Sequence, residues 1–320
     1  MMKKPFVYVT RKVSDEALNL LTSFATIEVW EKEYPVPREI LLKKVGQADA
    51  LYVMLSDRID RELLDHAPHL KVVSTMAVGY DSIDIQACKE RGIVVTNTPD
   101  VLTDATADLA FGLVMSAGRR FIEGNRMVMN GEWKTWSPYF MAGQSIHGAT
   151  IGIIGMGRIG EAVAKRATGF DMRIMYHNRN RKPNAEEKYN AEYASLPDIL
   201  KEADYVVLLT PLTEETKGLM GKQEFAQMKS TAVFVNASRG ATVDEEALFE
   251  ALRDGTIWAA GLDVFQVEPV PTDHPLLTLP NVVALPHIGS ATYEARNQMA
   301  MLVAKNIKAV LQGDEAITPV

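Results

Sequence analysis

Three polar residues stand far apart in this 320-residue chain, each a few positions beyond an apolar run. Arg239 follows Val233 to Val235, Glu268 ends Gly261-Leu262-Asp263-Val264-Phe265-Gln266-Val267-Glu268, and His287 follows Val282 to Leu285. A fixed cation, a carboxylate and an imidazole suit chemistry at a carbonyl. Hydride reaching the carbon leaves negative charge on oxygen, so a cation and a proton donor must already be in place. Each residue alone has an ordinary explanation as a surface or hydrogen-bonded side chain. Their common placement at strand ends is what argues for a site.

Upstream lies Ile151-Gly152-Ile153-Ile154-Gly155-Met156-Gly157-Arg158-Ile159-Gly160. With 21 glycines in the chain, a Gly-x-Gly-x-x-Gly match has roughly a one-in-ten chance of arising by accident. Its position between an apolar strand and a helix gives it weight. Gly155 permits a tight turn, Gly157 lets backbone approach a pyrophosphate, and Gly160 lets helix and strand pack closely. The helix start then offers free N–H groups to phosphate. Arg158 and Ile159 in the turn are expected cofactor contacts. So are Thr210, Pro211, Ala237, Asp263 and Gly289, further along the chain.

The second strand bears on cofactor choice. NAD sites usually carry an acid about 20 residues on to hold the ribose 2′-hydroxyl. Here Tyr176 is followed by His177-Asn178-Arg179-Asn180-Arg181-Lys182, and no acid appears before Glu186. Arg179 and Arg181 suit a 2′-phosphate, with Asn178 beside them, so NADPH is expected and NADH remains possible. A solvated basic loop is the alternative reading.

Those groups need a scaffold. The length exceeds what one core usually serves, so two domains are expected. The first hundred residues alternate strand candidates (Phe6–Thr10, Thr26–Val29, Ala50–Leu55, Lys71–Met76, Ile93–Thr96) with helix candidates (Asp15–Thr22, Arg38–Val45, Arg61–His66, Ser82–Glu90). Ser14 suits an N-cap and Pro37 a helix entry. A long helix is expected over Thr103–Ala117, after the breaker Asn97-Thr98-Pro99-Asp100. From Thr150 strands recur at Thr150–Ile154, Arg173–Tyr176, Tyr205–Leu209, Ala232–Asn236, Ala259–Val264 and Val282–Ala284. Their near-continuous apolar character predicts a sheet covered on both faces. A last helix, Tyr293–Leu311, is expected to return to the first domain. The reading is an α/β fold of two Rossmann-like or flavodoxin-like parallel-sheet domains. The cofactor domain, residues 100–288, is inserted in a discontinuous substrate-binding domain, residues 1–99 and 289–320.

Composition excludes other classes. The net charge is −7 and no long basic run exists, which argues against a nucleic-acid or anionic-membrane partner. No apolar run approaches the ~20 residues of a membrane span, and the four-residue apolar stretch near the start is too short for a secretory leader. One cysteine, Cys88, permits no intrachain disulfide and fits a reducing, cytoplasmic setting. His66 and His69 lack metal-ligand spacing, so no metal is expected.

The segments GIIGMGRIG, NASRG, GLDVFQVEP and PHIGSAT, in this order, resemble the D-2-hydroxyacid dehydrogenase family, and Val78-Gly79-Tyr80-Asp81 resembles its substrate loop. The similarity runs along essentially the whole chain, and within the family it is nearest to glyoxylate/hydroxypyruvate and 2-ketogluconate reductases. The resemblance implies that Arg239 binds the substrate carboxylate and polarises the 2-oxo group, that His287 donates the proton, and that Glu268 is its partner. It also implies that backbone N–H groups of Val78 and Gly79 bind the carboxylate; Leu55 is a further expected substrate contact. Fuller protonation of the imidazole at pH 7 would gain only about fourfold in competent enzyme, so any larger loss in a Glu268→Gln variant must come from orientation or transition-state charge. The resemblance further implies a homodimer built with the Thr103–Ala117 helix and the Trp133–Phe140 loop, with Trp136 or Phe140 either reaching a neighbour's site or packing in the core. Lid closure is expected about Asn97–Asp100 and Gly289–Thr292. A nucleotide-sensing scaffold or corepressor on the same fold is the alternative function.

Overall fold

Among the described residues of the computed structural model, twelve strands form two sheets, of five and seven strands, and every strand pair in both is parallel. The structure describes residues 4–320; the first three residues of the opening segment lie outside it. The chain divides into two compact units, one ending at Leu102 and resumed by Ala291–Val320, the other Thr103–Ser290.

The first unit contains β1 (Phe6–Val9), β2 (Thr26–Val29), β3 (Ala50–Val53), β4 (Val72–Thr75) and β5 (Val94–Thr96). Their order, β2-β1-β3-β4-β5, is that of a flavodoxin-like sheet. Strand β3 is buried at every position, as a strand covered on both faces must be. It is shorter than the apolar run Ala50–Leu55, because Met54 N–H turns to the Asp57 carboxylate at 2.8 Å. The helix expected from Ser82 starts instead at Ile85, where Asp84 caps it by accepting from Ala87 N–H at 2.8 Å. Ser14 holds the N-cap position of Asp15–Phe24, but its hydroxyl is buried without a partner; acidic Asp15 and Glu16 complement that helix start instead.

The last helix, Tyr293–Gln312, packs on β3, β4 and Asp15–Phe24 of this same unit. Buried Asn306 then accepts from Ile317 N–H and Thr318 N–H, and Val320 N–H donates to Val95. These bonds fix the C-terminal residues along β5.

The second unit contains β6 (Thr150–Ile154), β7 (Arg173–His177), β8 (Glu192–Tyr193), β9 (Tyr205–Leu208), β10 (Val233–Asn236), β11 (Ala259–Leu262) and β12 (Val282–Ala284), in the order β12-β11-β10-β9-β6-β7-β8. Tyr205 and Val207 pack with Phe111 and Val235 on one face. Val206 and Leu208 pack with Phe234 and Leu248 on the other. Burying a side chain such as Phe234 contributes about 2–3 kcal/mol, so both helical layers are strongly held. Five further helices, Phe121–Met129, Pro183–Tyr189, Leu196–Glu202, Lys222–Gln227 and Glu245–Arg253, together with the exposed two-residue β8, are short elements that the apolar pattern does not single out.

Candidate active site

The order of the second sheet decides where a ligand fits. The chain runs from β6 outward through β7 and β8, then crosses back to β9 on the other side of β6, so the order reverses between β6 and β9. Ligands of such sheets lie beyond the carboxyl ends of the strands at that reversal. Register puts His177, Ile154, Leu208, Asn236, Leu262 and Ala284 in line along that edge. The glycine turn, Thr210, Pro211, Ala237, Arg239, Asp263 and His287 all follow immediately.

The turn has the shape its glycines require. Gly155 adopts φ +106°, and a β-carbon there would lie 2.8 Å from the Leu209 carbonyl carbon. A β-carbon on Gly160 would overlap the Gly155 oxygen, so the helix Arg158–Thr168 is pressed against the turn. At Gly157 the added carbon would meet nothing within 4 Å. Gly157 also caps this helix without a side chain, and the first-turn N–H groups of Ile159 and Gly160 are placed to meet an anion. Beside the turn, the Thr210 hydroxyl is buried without a partner. An open cradle, first-turn N–H groups and an orphaned hydroxyl together fit a dinucleotide.

Past β7 the basic loop is partly committed. Arg181 pairs with Glu186 (2.6 and 3.0 Å), and its guanidinium lies over the Tyr193 ring. Glu186, distant in the sequence reading, is folded back onto Tyr176 Oη as well (2.6 Å). Asn178 donates to Asn180 O, and Arg179 is exposed beyond the strand end.

The three polar residues meet in one place. Asn236 at the end of β10 is buried; its Oδ1 accepts from Ser238 N–H and Oγ, and its Nδ2 donates to the Arg239 carbonyl. This folds the Asn236–Arg239 turn on itself. Gly240 comes next, and a β-carbon there would overlap the Phe265 carbonyl and Gln266 nitrogen, so the turns after β10 and β11 are in backbone contact. In the second turn Phe265 N–H donates to Glu268 Oε1 (3.0 Å), and Glu268 Oε2 lies 2.6 Å from His287 Nδ1. Burial opposes ionisation of Glu268. The bonds from His287 and Phe265, and the charges of His287 and Arg239, outweigh it and hold the carboxyl below its ordinary value.

Asp263 fixes His287 from behind, a role that its neighbours in sequence do not signal. Its carboxylate accepts from Ile288 N–H (2.8 Å) and Gly289 N–H (2.7 Å), while its carbonyl accepts from His287 N–H (2.8 Å). Burial raises its pKa, against the pull of those N–H groups and His287. His287 itself sits at φ +53°, a conformation rare for a side-chain-bearing residue and held here by these bonds.

Leu55, Val78 and Gly79 belong to the first unit, beyond the ends of β3 and β4. Asn97 Nδ2 donates to Val78 O (2.8 Å), while the N–H groups of Val78 and Gly79 donate to no acceptor among the described residues.

Residues 111–289 match the family model described as "D-isomer specific 2-hydroxyacid dehydrogenase, NAD binding domain". The chain belongs to that family. It is therefore an NAD(P)-dependent oxidoreductase with the two-sheet α/β fold of these dehydrogenases. A relative from Pyrococcus horikoshii named glyoxylate reductase is 51% identical over 97% of this chain and 94% of its own length. One from Aeropyrum pernix with the same name is 50% identical over 98% and 94%. A solved structure from Thermus thermophilus is similar at TM-score 0.93, with 46% identity over 98% of this chain and 99% of that one. An NADPH-dependent glyoxylate/hydroxypyruvate reductase from Sinorhizobium meliloti, solved with NADP and malonate, gives TM-score 0.85 and 34% identity, covering 99% and 97%. No helix among the described residues is long and apolar enough to cross a membrane.

Proposed function

We propose that this dehydrogenase reduces small 2-oxo acids, with glyoxylate, hydroxypyruvate and 2-ketogluconate as the substrates to test, and prefers NADPH. The observation that carries the reading is the 2.6 Å Glu268–His287 contact, standing with Arg239 beyond the strand ends of the nucleotide sheet. The nicotinamide, when bound, supplies the hydride. His287 Nδ1 is directed to Glu268, which leaves Nε2 to give its proton to the substrate oxygen as negative charge grows there. Arg239 binds the carboxylate and stabilises that charge. Val78 and Gly79, through their N–H groups, and Leu55 are the further substrate contacts proposed in the first unit.

For the cofactor, Gly155, Gly157 and Gly160 shape the pyrophosphate cradle and Arg158 and Ile159 N–H groups bind it. Thr210, Pro211, Ala237, Asp263 and Gly289 line the rest. NADPH preference is supported by exposed Arg179 and by the commitment of Glu186 to Arg181, which leaves no carboxylate at the end of β7 to repel a 2′-phosphate. A homodimer is supported by the apolar surface of residues 121–140, where Trp136 is 74% and Tyr139 89% exposed in the single chain. A cytoplasmic setting is supported by the lone buried thiol of Cys88.

The test compares catalytic efficiency for the three acids with NADPH and NADH. NADPH oxidation with at least one acid is expected. Firm nucleotide binding without turnover of any of them would overturn the reading and favour a nucleotide-sensing scaffold.

A further inference from the structure

The turn that carries Glu268 is anchored by a second carboxylate–imidazole pair. Glu245 opens the helix Glu245–Arg253, but Asp244 already caps that helix by accepting from Glu246 and Ala247 N–H. Both Glu245 oxygens are used elsewhere. Oε1 accepts from Gln266 N–H at 2.8 Å, and Oε2 lies 3.2 Å from His274 Nε2. The two side chains are mostly buried, and the His274 ring stands edge-on to Phe265, 6.0 Å between centroids.

Two successive peptide N–H groups, of Phe265 and Gln266, are thus taken by two carboxylates, Glu268 and Glu245. Gln266 Nε2 adds a bond to Val243 O at 2.7 Å. We infer that Glu245, steadied by His274, is a positioning residue for proton transfer: it holds the Phe265–Gln266 backbone so that Glu268 meets His287 Nδ1. Without it, Gln266 N–H loses its acceptor, and the turn can rotate while the nucleotide cradle stays intact. Displacement of a reacting group by about 1 Å can cost on the order of a hundredfold in rate. The inference rests on the proposed role of His287.

The experiment compares Glu245→Ala and Glu245→Gln with the parent enzyme. Readouts are kcat with glyoxylate, KM for NADPH, and the low-field proton resonance of the Nδ1–H bond to Glu268, assigned by its loss in Glu268→Gln. Glu245→Ala is expected to lower kcat about tenfold to a hundredfold, to leave the NADPH KM within about twofold, and to weaken or lose the resonance. Glu245→Gln keeps an acceptor for Gln266 N–H and should restore most of both. A resonance and kcat unchanged in Glu245→Ala would overturn the inference, as would a Gln variant no better than Ala. The resonance needs no turnover. A parent enzyme inactive on every acid would sink the proposed reaction while the resonance still judged Glu245.

Discussion

Gly240 and Phe265 are in backbone contact, and only the absence of a side chain on Gly240 lets the turns after β10 and β11 close together. Through this contact Arg239, on one turn, and Glu268, on the other, come to share a site. Gly240→Ala must push the turns apart, at a cost of several kcal/mol or a displaced site. Thermal unfolding and kcat should both fall. Gly157→Ala places its carbon in open space, so stability should hold while the Kd for NADPH rises about tenfold or more. Equal effects of the two variants on unfolding temperature would contradict this.

His287→Ala should lose 10²–10⁴-fold in kcat, the usual contribution of a positioned proton donor, with the NADPH KM nearly unchanged. In the parent enzyme reduction should fall and oxidation of the hydroxy acid should rise with increasing pH, as a proton donor requires. Steady-state rates in both directions measure this. Near-normal turnover by His287→Ala would remove that residue from the mechanism.

Glu268 makes a prediction for stability as well as rate. Its pKa is depressed in the fold, so its stabilisation is fully present above the unfolded value near 4.5 and is lost as pH falls through the lower folded value. The unfolding-temperature gap between parent and Glu268→Gln should therefore be widest near neutrality and narrow below about pH 4.5. A gap independent of pH down to the acid limit would show that the carboxylate charge contributes nothing.

Arg179 and Arg181 should separate. Arg179→Ala is expected to raise the NADPH KM about tenfold, roughly the worth of one charge-assisted phosphate contact, and to leave NADH nearly unaffected. Arg181→Ala should have the smaller effect, because Glu186 already holds that guanidinium. An unchanged NADPH KM in Arg179→Ala would refute the assignment.

Local signals were strong where the chemistry is local. The Gly155–Gly160 turn, the apolar strands and the residues just past them are written in adjacent positions, and a parallel sheet sends every strand end to one edge. The sequence could thus nominate Arg239, Glu268 and His287, and its motifs could identify the family. Contacts between distant segments were not legible. Asp263 grips the backbone after His287, and Glu245 reaches Gln266 across 21 residues. Capping was legible in position but not in bonding: Ser14 occupies the cap position without making its bond, because a side chain's hydroxyl orientation depends on what surrounds it. Residue type and spacing decided which groups are present and toward which sheet edge they go. Tertiary packing alone decided their partners and orientation, since these depend on backbone approaches, such as Gly240 to Phe265, that exist only once separate strands are assembled.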